Sequence, residues 1–110
     1  MTDTAKKFYQ GQPGTSDTLL YTPPATGATI LSIHVANTTT SPATIRIGAN
    51  ASGTLGVTNA VLWDTTVPAN GTYDYTGMLQ LDASATTGTI RGSQGTSGAL
   101  TVLISGNEIT

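Results

Sequence analysis

The 110-residue chain has no cysteine, one histidine and one tryptophan, and only 9% of its residues are charged. An ordinary soluble domain carries roughly 25%. Without cysteine there is no thiol nucleophile, no disulfide framework and no Cys-ligated zinc. A single imidazole cannot build a transition-metal site from histidines. Four Lys and Arg residues against six Asp and Glu leave a net charge of −2. That balance cannot neutralise a row of phosphates, so nucleic acid is not an expected partner. No stretch approaches the ~18 apolar residues of a membrane helix, so no membrane partner is expected either. The first nine residues hold charges but no apolar segment, and we expect no secretory signal there. Three Asn-x-Ser/Thr triplets, at Asn37, Asn50 and Asn70, read as chance matches in a chain so rich in Ser and Thr. Disorder is also disfavoured, because hydrophobic residues reach 37% while the high charge that keeps chains open is missing.

What is present is threonine, at about one position in five, together with short alternating apolar runs. Alternation at a period of two predicts half-buried strands over 18–22, 28–37, 43–49, 59–67, 72–76, 78–81, 87–92 and 99–105. In 28–37, Leu31, Ile33 and Val35 share one face and Ser32 and His34 the other. In 43–49, Ile45 and Ile47 oppose Thr44 and Arg46. Val61, Trp63 and Val67 oppose Asp64 and Thr66, Tyr73 and Tyr75 oppose Asp74, and Leu100, Val102 and Ile104 oppose Thr101 and Leu103. Pro23-Pro24, Pro42, Pro68 and the turn-forming Asn70-Gly71 punctuate these runs. Seven or eight strands spaced about 8–12 residues apart predict an all-β antiparallel β-sandwich.

Residues 1–17 stand apart. They hold both lysines and a loop-forming Gly-Gln-Pro-Gly stretch, and show no clear period. The reading divides the chain into an extended N-terminal arm, 1–17, and a sandwich domain, 18–110. Lys6, Lys7, Phe8 and Tyr9 are its candidate partner-binding residues, with Phe8 and Tyr9 as anchors. Removal of the arm is then expected to leave the sandwich folded.

Chemistry is hard to assemble. His34 is the only base for a nucleophile, and it falls mid-strand as a half-exposed residue. Asp64 and Asp74 flank the 68–71 turn and are the pair to consider for carboxylate catalysis, though solvated strand faces explain them as well. The glycines of 92–98 lack the lysine and helix of a phosphate loop. Trp63, Tyr73 and Tyr75 form a candidate sugar-stacking platform, but a lone strand tryptophan more often fills a core. We therefore expect no catalytic residues, no metal site and no cofactor. The outer face must be built from Thr, Ser, Ala and Gly, which carry little charge to hold copies apart and lose little side-chain entropy when covered.

The series Leu20-Tyr21-Thr22-Pro23-Pro24-Ala25, Ile33-His34-Val35-Ala36-Asn37-Thr38, Val67-Pro68-Ala69-Asn70-Gly71-Thr72, Gly77-Met78-Leu79-Gln80-Leu81 and Gly106-Asn107-Glu108-Ile109 resembles small structural proteins of tailed bacteriophage virions. The family pattern Leu-x-x-Gly-Asp before an apolar strand is absent, since Leu81 leads into Asp82 and Ala83. The resemblance implies a jelly-roll-like sandwich, with an immunoglobulin-like topology as the alternative. It supplies no catalytic residues. It implies a capsid cement or decoration protein on the outer surface of the capsid, bound to the major capsid protein where shell subunits meet and self-associated as a homotrimer. The alternatives are a tail- or neck-associated virion component, or a carbohydrate-binding or adhesin module.

Overall fold

A computed structural model describes residues 3–24, 27–82 and 87–109. Eight strands run in the order β1 (Asp3–Gly11), β2 (Thr18–Tyr21), β3 (Ala28–Asn37), β4 (Ala43–Ala51), β5 (Ala60–Val67), β6 (Thr72–Leu81), β7 (Thr89–Gln94) and β8 (Leu100–Ile109). A single 3-10 turn, Val57–Asn59, precedes β5. The first sheet has the order β1-β8-β3-β6 and the second β2-β7-β4-β5. Every ladder is antiparallel. The fold is an all-β sandwich, as the alternation predicts. The pairs β1–β8, β2–β7, β3–β6 and β4–β5 nest inside one another, as in a long hairpin rolled into two layers, which is the jelly-roll arrangement.

The core is the seam between the layers. From the first sheet it takes Ile30, Ile33, Val35, Val102 and Ile104, and from the second Ile45, Ile47, Val67 and Ile90, all fully buried. Branched aliphatic side chains stand stiffly off a pleated sheet and interdigitate across such a gap. Gly92, on the inner face of β7, is a close-approach position: a Cβ there would lie 2.9 Å from the Arg46 carbonyl oxygen and 3.0 Å from Leu20.

The expected boundary at residue 17 does not hold. Residues 3–11 form β1, which pairs with β8 from Asp3↔Ile109 to Gly11↔Val102. Phe8 is buried, and its ring stacks on Tyr21 of β2 with centroids 4.3 Å apart and planes 11° apart. This stack joins the edge strands of the two sheets. The period is hidden because a bulge between Lys7 and Tyr9 turns the neighbours Phe8 and Tyr9 both toward the core. Among the described residues of 1–17, only the connector 12–17 lacks strand, and Gln94 ties it down: its side-chain amide donates to Pro13 O at 2.5 Å and its backbone N–H to Gly14 O at 2.9 Å.

Bulges correct two further expectations. In β3 the ladder shifts between Ile30 and Ser32, so Ile30 lies in the core beside Ile33 and Val35. Leu31, assigned inward by simple alternation, has a side chain outside the described set, as does the whole of 83–86 in the segment after Leu81. In β5 the shift against Ile45 and Ile47 leaves Asp64 with a positive φ of 52°. Leu62 then points inward, and Trp63 is turned to the outer face, where it is half-buried. The separate runs 72–76 and 78–81 are one strand, β6.

The 68–71 turn is closed by the Gly71 N–H to Pro68 O bond at 2.9 Å, with Asn70 at φ 53° in its third position, as a type II turn requires. It carries the chain from the second sheet to the first instead of forming a hairpin.

Because Phe8 seals one side of the seam, Phe8→Ala should lower the unfolding free energy by about 3 kcal/mol, read from denaturant titration. Deletion of residues 1–17 should abolish cooperative unfolding by circular dichroism, since it removes an edge strand along with that ring.

Candidate functional site

The two outer faces differ in kind. On the first sheet the register aligns Lys7, Ser105, Ser32 and Thr76 in one row, and Gln10, Leu103, His34 and Asp74 in the next. Four of these eight side chains, Ser105, Ser32, Thr76 and Asp74, are short. Ser32 Oγ and Ser105 Oγ are hydrogen-bonded at 2.9 Å, and the Lys7 ammonium donates to Gln10 at 2.9 Å. His34 Nδ1 pairs with Asp74 Oδ1 across the β3–β6 ladder. That pair has the form of an oriented base, yet the nearby Ser32 hydroxyl is engaged by Ser105 rather than by His34.

On the second sheet the outer face carries both arginines. Arg91 Nε donates to Asp17 Oδ1 at 2.7 Å. Arg46 grips Asp64 through two parallel bonds, Nε to Oδ1 at 2.6 Å and Nη2 to Oδ2 at 2.9 Å. Its guanidinium carbon lies 4.1 Å from the centre of the Trp63 ring. The stacked, bidentate geometry uses the planarity of the guanidinium in both directions. The hydrogen bonds from Arg46 hold the Asp64 carboxyl below its usual range and raise the Arg46 value in return. Beside this cluster lies an open depression of about 160 Å³ lined by Thr15, Thr44, Arg46, Asp64, Ser93, Gln94 and Gly95.

The carboxylates proposed as a pair are not one: Asp64 is on β5 in the second sheet, bound to Arg46, and Asp74 is on β6 in the first, bound to His34. The aromatic platform is not assembled either. Trp63 faces outward beneath Arg46, while Tyr73 and Tyr75 pack against the core from the other sheet. Of the four N-terminal candidates, Phe8 is committed to the chain's own core and Tyr9 packs against it. Lys6 reaches both Glu108 carboxylate oxygens at 3.2 Å, and Lys7 stays on the exposed face. Among the described residues, no group of three or more His, Asp or Glu side chains converges as metal ligands.

Three polar elements escape sequence reasoning. Asn37 is buried, and its amide nitrogen donates to Ser41 O at 2.8 Å and Val67 O at 3.1 Å, while its oxygen accepts from the Thr39 N–H and hydroxyl at 2.9 and 2.7 Å. Gln94, also buried, bonds Pro13 O and accepts from the Leu100 N–H at 2.8 Å. Glu108 accepts from the Tyr21 hydroxyl as well as Lys6, joining β8 to β2 and β1 at the edge where Phe8 stacks. An isolated amide or acid near a strand end carries no local signal that it will be buried. Only the register reveals it.

No family model matches the chain, and a search of curated proteins returns no match either.

The Tyr21 hydroxyl lowers the Glu108 pKa, burial acts against it and Lys6 adds to the lowering. A depressed carboxyl contributes stability that is present above its unfolded value, here 4.5, and lost as pH falls through the lower folded value. Asp17 and Asp64 are shifted in the same direction from 3.8. Thermal stability should therefore decline as pH drops below 4.5. The decline should be shallower in Glu108→Gln, which can still accept the tyrosine bond but does not titrate; calorimetry across pH 2 to 6 reads the difference.

Proposed function

We propose that this chain is a non-enzymatic structural protein of a tailed-phage particle. In this reading it is a capsid cement or decoration protein, seated as a homotrimer on the outer surface of the head where major capsid subunits meet. The observation that supports it best is the state of the exterior. Three of the four basic side chains are matched to acids, in Lys6–Glu108, Arg46–Asp64 and Arg91–Asp17, and His34 is matched to Asp74. Between these pairs the first sheet presents Ser105, Ser32 and Thr76 in one row and Thr101, Ala36 and Thr72 in another, interrupted by Lys7, Gln10 and Leu103. A face with little uncompensated charge and few mobile side chains sacrifices little solvation or rotamer freedom when another surface covers it. That suits a molecule whose role is contact area. The jelly-roll nesting accords with this by analogy of fold alone, since viral capsid proteins use it among other classes.

With Phe8 inside the core, attachment falls to the sheet faces, the loops and Lys7 rather than to a free arm. Sedimentation equilibrium should give a trimer, and imaging of intact particles should place three copies at capsid subunit junctions. A monomer at high concentration overturns the trimer. Density on the tail or neck alone overturns the cement role in favour of a tail component.

A further inference from the structure

The Arg46–Asp64 cluster exceeds what the sandwich needs. It lies on an outer face and supports no core contact, yet it is built on a non-glycine residue at positive φ inside a bulge. The left-handed region is unfavourable for an ordinary L-residue and less so for Asp. Bulges often re-aim a side chain toward a working surface. Here the bulge sets the Asp64 carboxylate against Arg46, which Trp63 holds from the other side.

The depression next to it is preorganised. Its walls come from β4, β5 and β7 of one sheet, while Thr15 comes from the connector that Gln94 ties down through Pro13 O and Gly14 O. Gly95 keeps it open at one side, since a Cβ there would lie 2.6 Å from Thr44 Oγ1. The lining offers the hydroxyls of Thr15, Thr44 and Ser93, the remaining lone pairs of the Asp64 carboxylate and the remaining N–H groups of Arg46. Donors and acceptors thus stand side by side, and the charges of Arg46 and Asp64 cancel. A strongly charged ligand finds no net attraction in such a site. A neutral ligand with adjacent hydroxyls finds an acceptor and a donor spaced for two neighbouring oxygens.

We propose that this depression is a binding site for a neutral saccharide, with the Arg46–Asp64 pair bridging two adjacent sugar hydroxyls and Thr15, Thr44 and Ser93 contacting the ring's other oxygens. The inference does not depend on where the protein sits in a particle. A small open site predicts a Kd in the millimolar range, about −4 kcal/mol. Trp63 is the only tryptophan, so its emission reports directly on Arg46.

The test titrates the full chain with glucose, galactose, mannose and N-acetylglucosamine, following Trp63 fluorescence and, independently, saturation-transfer NMR of the sugar. At least one sugar should bind saturably by both readouts. Asp64→Gly keeps a residue at ease with positive φ while removing the carboxylate, and Arg46→Gln removes the cation. Each should weaken binding by about tenfold, the equivalent of 1.4 kcal/mol, whereas His34→Ala on the opposite sheet should leave it unchanged. Silence with all four sugars up to roughly 50 mM, well above a millimolar Kd, overturns the site. Binding that survives both substitutions overturns it equally.

Discussion

Everything in this molecule hangs on a thin aliphatic seam between two four-stranded sheets. Ile30, Ile33, Val35, Val102 and Ile104 on one side meet Ile45, Ile47, Val67 and Ile90 on the other, and none is accessible to water. In so small a domain with no disulfide, that layer must be closed on all sides. The jelly-roll nesting leaves four strand edges to manage, β1 and β6 in one sheet and β2 and β5 in the other. The Phe8–Tyr21 stack, backed by the Tyr21–Glu108–Lys6 contacts, links β1 to β2. The 68–71 turn links β5 to β6. One stack and one turn thus stand where a larger protein would place a covering helix.

The sequence makes the strands legible, but not the phase of their side chains. Alternation finds 28–37 and places Ile33, Val35, Ile45, Ile47, Val102 and Ile104 correctly, because the strands alternate without a bulge of their own across 33–35, 45–47 and 102–104. It fails at each bulge. One extra residue exchanges the two faces, so Ile30 is in the core, Leu62 rather than Trp63 is inside, and adjacent Phe8 and Tyr9 both turn inward. The N-terminal strand is missed for the same reason, compounded by two lysines that an edge strand tolerates. Bulge positions depend on which partner strand lies opposite, and that information is spread across 60 to 100 residues of separation (Ile30 against Gly106, Tyr9 against Ile104).

The candidate site shows this limit most clearly. Trp63 and Asp64 are visible in the sequence, but unbroken alternation sends the first inward and leaves the second as a solvated acid. Only the ladder shift opposite Ile45 and Ile47 rotates the ring outward and brings the carboxylate to Arg46 on the neighbouring strand. Asn37 and Gln94 are illegible for a related reason. Each satisfies backbone groups that belong to loops or strand ends distant in sequence, and a buried amide with all its partners is stabilising only in that one arrangement.

The scarcity of charge and the pairing of what remains are two sides of one constraint. An exposed ion pair contributes little to stability, commonly under about 1 kcal/mol, so the three pairs Lys6–Glu108, Arg46–Asp64 and Arg91–Asp17 do not explain why the sandwich holds. Their consequence is for the surface instead. By cancelling one another at fixed positions on adjacent strands or segments, they leave a face whose field falls away within a short distance. The two sheets then differ: the first carries Ser and Thr hydroxyls among Lys7, Gln10, Leu103 and His34, and the second a fixed donor–acceptor pair, Arg46 and Asp64.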